Sequence, residues 1–421
     1  MCKAALKDKL PRREYFSSVF SVQTGQTPPQ EGKAKILSCY GAQERKTISS
    51  RTWTTIPFEP YQQHLSARNQ QQRAPLANGH LMMVQSAVSL KPFNTFGIDA
   101  TAEHYAKVTS VEDVRRALAW AQEQKLPVFI LGGGSNILFR ENIQGLVIHM
   151  SLMGIDEEII DENRSLMTIS AGEDWSQTVW WAASHGFGGI ENLYLIPGSA
   201  GAAAVQNIGA YGVELCDVCH HVTALNRATG EIHTLAAKDC QFGYRESLFK
   251  RQANQWIVLS VTLELNKKSP LKTSYGALQE TLNERCQGDP CFADVALAVA
   301  SIRESKLPSP ESIGSAGSFF KNPVVSPDYY ASLLKQHPKM PAFPLPNGDY
   351  KLSASWLLDT AGWKKKDSPA VACYPLQPLV ITNKGGATGK EIVEFSQAIQ
   401  EDIAQRFGIS LEREVVIYPP L

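Results

Sequence analysis

The chain has 421 residues, 43% hydrophobic and 19% charged, with a formal net charge of zero. That length exceeds one ordinary domain and calls for two or three, and no apolar run reaches the ~18 residues of a membrane-spanning helix. Residues 1–84 hold 12 Lys/Arg against 5 Asp/Glu, so the remainder is net negative and offers no basic footprint for nucleic acid.

Residues 1–84 are rich in Gln, Arg, Ser and Pro, as in YQQHLSARNQQQRAPLANGH, and read as a disordered basic extension. Met82 or Met83 is a candidate start of translation within it. The first residues, MCKAALKDKLPRREYFSS, lack the apolar core of a secretory signal. Eight scattered cysteines with no small disulfide-rich module fit the reducing cytosol.

From Val84 onward strands and helices alternate. Ser110 to Asp113 has the spacing of a capping box, and Val111, Val114, Ala117 and Ala121 recur at helical spacing behind it. After Pro127 comes the buried-strand run VFIL, then a turn through Gly132, Gly133, Gly134, Ser135 and Asn136. A second helix is expected from about Trp175 to His185, closed by Gly186. Cys216-x-x-Cys219 precedes His220 and His221, but a second pair at matching spacing is missing, so these read as plain thiols and no metal is expected.

A third helix is expected around Asp294 to Glu304, delivering Arg303 and Lys306 towards RESKLPSP. The segment GSAGSFFKNP (314–323) opens an α/β unit at about 307–405. GGATGK (385–390) is not a Walker loop, because Lys384 and Glu391 stand where Gly and Ser/Thr are required. Thr388 to Glu391 instead caps a helix with Ile392, Phe395, Ile399 and Ile403 on one face, ended by Gly408. LEREVVIY (411–418) reads as a short strand.

Two glycine-rich stretches stand out, LGGGSNIL (131–138) and IPGSAGAAAVQNIGAYG (196–212). Glycines let backbone N–H groups approach a phosphate without a Cβ in the way. Neither stretch is the G-x-G-x-x-G of a dinucleotide fold, and a pair of such loops suits a long diphosphate cofactor such as FAD. Singly, the other polar residues have plain readings: Ser318 as a turn or capping hydroxyl, Arg245 as a surface ion pair, Glu414 as a solvated carboxylate.

Taken together they do not stay plain. FNTFGI (93–98), LGGGSNIL, IPGSAGAAAVQNIGAYG, FGYRESLFK (242–250), SYGAL (274–278), KLP (306–308), GSFFKNP (317–323) and LEREV (411–415) occur in one order. In that order they resemble the UDP-N-acetylenolpyruvoylglucosamine reductases, flavoenzymes of bacterial peptidoglycan synthesis, over roughly residues 86–417. The resemblance implies an α+β protein with a two-part FAD-binding region of the vanillyl-alcohol-oxidase type and a separate α/β substrate-binding domain. FAD-binding subdomains are then expected at 85–150 and 151–306, the substrate-binding domain at 307–405, and a C-terminal strand completing the active site at 406–421.

The same resemblance implies site residues. Ser318, Arg245 and Glu414 match the catalytic groups, with Ser318 as proton donor. Asn94, Thr95, Gly132, Gly133, Gly134, Ser135, Asn136, Pro197, Gly198, Ser199, Gly201, Asn207, Gly209, Ala210 and Tyr211 match cofactor-binding positions. Tyr244, Tyr275, Lys306, Asn322 and Gln377 match substrate-binding positions, with Tyr275 on a loop kept by one subgroup. FAD held without a covalent bond is implied, since Ser135 and Asn136 follow the first glycines where covalent relatives often carry histidine. NADPH as hydride donor, the enolpyruvyl nucleotide as substrate, a monomer and a cytoplasmic location complete the expectation.

Glu414 is open to two readings, a protonated hydrogen-bond donor to the intermediate or an ionised group orienting Arg245. Another flavin oxidoreductase of the same fold, or a flavin- or nucleotide-binding protein without turnover, are the alternatives. GSFFKNP and LEREV speak against an alcohol oxidase, which needs a base rather than an acid.

Overall fold

A computed structural model describes residues 83–421 except 287, 310, 311 and 367. Apart from Met83 and Val84, the expected extension 1–84 lies outside the described residues. The chain first lays down β1 (Val84–Ser89), β2 (Thr101–Val108), β3 (Val128–Leu131), β4 (Ile137–Phe139) and β5 (Ile143–Met150). Four of these form a sheet in the order β1-β2-β5-β3, antiparallel at β1–β2 and parallel elsewhere.

The helix Val111–Glu123 covers one face of this sheet with Val114, Ala117 and Ala121. Ser110 Oγ accepts the Asp113 N–H at 3.1 Å. Asp113 reaches back to Thr109 rather than to Ser110, so the expected capping box is shifted by one residue. The second expected helix runs Trp175–Ser184 and is capped by Asp174. Gly186 follows it at φ +78°, the left-handed turn that a glycine adopts at little cost.

A second sheet is wholly antiparallel. It contains β6 (Ile155–Ile159), β7 (Arg164–Ser170), β10 (Cys219–Asn226), β11 (Ile232–Ala236) and β12 (Trp256–Asn266), in the order β11-β10-β12-β7-β6. A short ribbon of β8 (Gly209–Ala210) and β9 (Val213–Glu214) stands apart from it. Trp175, Val179 and Ala182 of the covering helix pack against Val222, Val261 and Leu263 of this sheet.

The C-terminal third has β13 (Gly314–Ser318), β14 (Val324–Val325), β15 (Ala342–Pro344), β16 (Tyr350–Leu352), β17 (Val371–Tyr374) and β18 (Gln377–Asn383). They make two three-stranded antiparallel sheets, β13-β18-β17 and β14-β16-β15. The long helix Gly389–Phe407 begins with a complete capping box, Thr388 with Glu391, and buries Ile392, Ile399 and Ile403. LEREVVIY is strand only at β19 (Val416–Tyr418), which runs parallel to β4 beside the first glycine loop. Phe319, Phe320 and Ile392 share one continuous core with Phe96, Leu131 and Phe139, so this third packs directly on the first sheet.

Candidate active site

The two glycine-rich segments touch backbone to backbone. A Cβ on Gly133 would stand 2.8 Å from Gly198 Cα, and one on Gly132 2.8 Å from Ser199 Oγ. Ser135 Oγ donates to Pro197 O at 2.8 Å, which locks the contact. FNTFGI closes a third side, with the Thr95 N–H donating to Gly134 O at 3.0 Å. A Cβ on Gly134 would fall on the Phe93 carbonyl. Only glycine lets three backbones meet this way.

Two cavities open beside this junction. One, of about 300 Å³, is lined by Gly132 to Asn136 and by Lys250 and Trp256. The other, of about 240 Å³, is lined by Gly198, Arg245, Arg303, Ser318 and Glu414 among others. Ser135, Asn136, Ser199, Ala202 and Gln206 line both, so the two adjoin and are taken together as one cleft.

Ser318 enters from the end of β13. A bulge between Ser315 and Ser318 breaks the register with β18, and Gly317 sits there at φ +69°. Bulges of this kind re-aim a side chain, and this one turns Ser318 into the cleft. Phe319 and Phe320 behind it are fully buried. Their segment runs against the LEREV segment, with the Glu414 N–H donating to Phe319 O at 2.9 Å and the Lys321 N–H to Glu412 O at 2.8 Å.

Glu414 is thereby fixed beside Ser318. Asn136 Nδ2 donates to the Glu414 carbonyl at 3.2 Å, tying the LEREV segment to the glycine loop. Arg245 comes from the opposite wall, from a turn at φ +56°. Its Nε donates to Glu414 Oε1 at 2.8 Å, and a second guanidinium N–H donates to Gly209 O. Arg245 and Glu414 side chains are 17% and 16% exposed, dry enough for a charge-assisted bond to hold its geometry. Burial pushes the Tyr244 phenol up, with Arg245 and Asn322 pulling the other way.

Not every residue implied by the sequence lines the cleft. Gly132 to Asn136, Pro197 to Ser199, Gly201, Gly209, Ala210, Tyr244, Arg245, Asn322, Ser318 and Glu414 do. Asn94 is buried and spends its side chain on Leu90 O, Ile98 O and the Ile98 N–H. Asn207 does the same with Glu214, Gly243 O and the Cys216 N–H. Both shape the glycine segments from behind.

Thr95 bonds the glycine loop without lining the cleft. Tyr211 stands edge-on to Tyr275, ring centres 6.1 Å apart, and Tyr275 is 47% exposed. Lys306 is exposed at the end of the helix Phe292–Lys306, and Gln377 bonds Ser355. None of these four lines either cavity.

Arg303 is a cleft residue that the sequence reading left unassigned. Val295, Val299 and Arg303 recur every four residues, so the half-buried arginine extends the line of a buried stripe. It has no carboxylate partner within ion-pair distance among the described residues. Burial pulls its guanidinium below the ordinary arginine range, offset in part by Tyr211.

FAD fits this cleft on two observations. Ser199 Oγ and Gln206 Nε2, both lining it, are buried polar atoms without a partner, and such atoms ordinarily await one. The N–H groups of Gly133 to Asn136 donate to no described protein group, which leaves them free for diphosphate oxygens. Among the described residues no group of three or more His, Cys, Asp or Glu is placed to hold a metal ion.

Comparison with known proteins agrees with that fit. Residues 102–236 match the family described as FAD binding domain, and 309–418 match the C-terminal domain of UDP-N-acetylenolpyruvoylglucosamine reductase. The reductase of Pseudomonas syringae pv. syringae is 44% identical over 339 residues, 80% of this chain and 99% of that one. The chain belongs to the UDP-N-acetylenolpyruvoylglucosamine reductase family.

The reductase of Amoebophilus asiaticus is 43% identical over 337 residues, 80% of this chain and 99% of its own. The crystal structure of the Thermus caldophilus enzyme superposes with a TM-score of 0.57 at 25% identity, covering 80% of this chain and all of that one. As a member of the UDP-N-acetylenolpyruvoylglucosamine reductase family, the chain is an FAD-dependent oxidoreductase of peptidoglycan synthesis. Its mixed helix-and-sheet fold joins an FAD binding domain to the C-terminal domain of the reductases.

Proposed function

We propose that this chain reduces UDP-N-acetylglucosamine enolpyruvate to UDP-N-acetylmuramate, with NADPH as hydride source and Ser318 as proton donor. One observation carries the reading: Ser318, Arg245 and Glu414, from three distant segments, meet at one end of a cleft whose other end is the glycine cradle. FAD, held by the two glycine segments, would supply the relay by which a hydride from NADPH reaches one alkene carbon of the substrate. Among the described residues no histidine or cysteine lines the cleft, which supports a cofactor held without a covalent bond.

The protein's part is to manage charge and a proton. Hydride addition to an alkene conjugated with a carboxylate loads negative charge onto that carboxylate. Arg245 offers a planar fork for it, and a fixed cation in a dry site stabilises such charge by a few kcal/mol. Ser318 Oγ–H delivers the proton to the second alkene carbon. An alcohol is a weak acid, but an enediolate is basic enough to take its proton. Glu414 accepts from Arg245, and that arrangement favours orientation of the guanidinium over hydrogen-bond donation to the intermediate.

Tyr275, Lys306 and Gln377, outside the cleft, are assigned to the nucleotide end of the substrate, with Asn322 and Tyr244 at the wall between. The described residues of one chain bring all three catalytic groups together, which suffices for a monomer. Among the described residues six cysteines stand free as thiols, which suits the reducing cytoplasm.

Stopped-flow absorbance separates the two half-reactions. NADPH bleaches the flavin, and the enolpyruvyl nucleotide recolours it. Ser318→Ala leaves bleaching near the wild-type rate and slows recolouring by at least about 10²-fold. Recolouring at the wild-type rate rules out the acid role.

A further inference from the structure

The three motifs that carry Ser318, Arg245 and Glu414 each carry a second charged residue: Lys321 in GSFFKNP, Glu246 in FGYRESLFK and Glu412 in LEREV. Lys321 is only 8% exposed and lines neither cavity. Its Nζ lies 2.6 Å from Glu412 Oε1 and 3.6 Å from Glu246 Oε1. Glu246 Oε1 is also 3.5 Å from Lys250 Nζ, which donates to the Arg245 carbonyl at 2.8 Å. A chain of charges thus runs from the LEREV segment through Lys321 and Glu246 to the backbone of Arg245.

That backbone needs holding. Arg245 is in the left-handed region, which a side chain with a Cβ rarely adopts unless its surroundings impose it. The segments of Ser318 and Glu414 are joined by main-chain hydrogen bonds. Among the described residues no main-chain pair joins the Arg245 turn to either of them. Side chains do so instead: Arg245 to Glu414 and Glu246 to Lys321. The first faces the cleft and meets substrate, so Glu246–Lys321 is the tie that stands outside the chemistry.

We propose that Lys321 is a positioning residue, a charged clamp behind the site that holds the Arg245 turn in register with Ser318 and Glu414. A buried lysine between two carboxylates is a poor means of stabilising a fold, since apolar replacements often match it. It is an effective means of fixing three segments at one distance. Misplacement of a catalytic group by about 1 Å costs about 10²-fold in rate, so the clamp should be visible in turnover before it is visible in stability. The inference rests on the reading of Ser318 as proton donor.

The test is a double-mutant cycle on the holoenzyme, read in the two half-reactions. Lys321→Met is expected to slow recolouring by about 10–10²-fold, with FAD content and NADPH bleaching held at wild-type values, and Lys321→Arg to restore most of the loss. In the Arg245→Met background Lys321→Met should add little, because the guanidinium it positions is already gone. Slowing of both half-reactions alike, or a full additional loss on top of Arg245→Met, overturns the clamp and leaves a structural role. If Ser318→Ala alone recolours at the wild-type rate, the proposed proton donor fails instead, and the two failures are distinct. Should Lys321→Met not fold, Glu246→Gln cuts the same tie without changing side-chain size and is read by the same criteria.

Discussion

Gly133→Ala probes the meeting of the two glycine segments more cleanly than any other change in the cradle. Gly133 has an ordinary negative φ, so an alanine there brings no backbone strain, only a methyl. That methyl would stand 2.8 Å from Gly198 Cα, 3.0 Å from Gly198 C and 3.1 Å from Ser199 N. All three are backbone atoms and cannot swing aside. Ordinary contact begins near 3.4 Å, so the segments must part by about 0.6 Å, the difference between 3.4 and 2.8. Overpacking on this scale costs about 1–3 kcal/mol.

The cost falls on the segments proposed to hold the cofactor, because the loops that must part are the ones that line the cleft. At about 1.4 kcal/mol per tenfold, the Kd for FAD should rise about 5- to 150-fold. Fluorescence titration of the apoprotein with FAD measures this directly, and thermal unfolding with and without FAD reports the loss of linkage. Wild-type FAD affinity in a folded Gly133→Ala protein would refute the packing of the two segments as described.

Arg303→Met should modestly stabilise the apoprotein, since it removes a half-buried cation that has no carboxylate partner among the described residues. The same change should weaken an anionic ligand of the cleft, and titrations with FAD and with the nucleotide substrate tell which of them it serves. A lower apoprotein Tm contradicts the first part. Glu191 is 2% exposed, and burial pushes its carboxyl up, with the nearby backbone N–H groups pulling it back. A raised folded pKa means that the stability it lends is present at acid pH and lost as pH rises through that pKa. Glu191→Gln, which keeps the acceptor for the Gly189 N–H, should therefore raise Tm at pH 8 and leave it unchanged at pH 4; a gain that does not vary with pH counts against this.

Local grammar was enough for much of the fold. Ser110 and Thr388, read from their spacing, each accept a backbone N–H at a helix start, and Asp174, Ser247, Ser326 and Ser353, which the sequence reading passed over, do the same. The glycine segments were legible for the same reason, since few other demands call for so many glycines in a loop. Arg303 was legible too, had its four-residue spacing from Val299 been followed to the end of the helix. Asn94 and Asn207 were harder. A polar residue inside a ligand-binding motif has the same spelling whether it faces the ligand or braces the loop from behind, and both brace. The shortness of β19 escaped detection because its partner β4 lies far back in the chain, and pairing of that range leaves no local trace.

The bond from Asn136 to the Glu414 carbonyl joins residues 278 positions apart. On the ribosome, both glycine segments and the Arg245 turn emerge well before the strand that brings Glu414. The partner that aims Arg245 is therefore the last of the three groups to be made, and the site closes only when the end of the chain has returned to the first glycine segment.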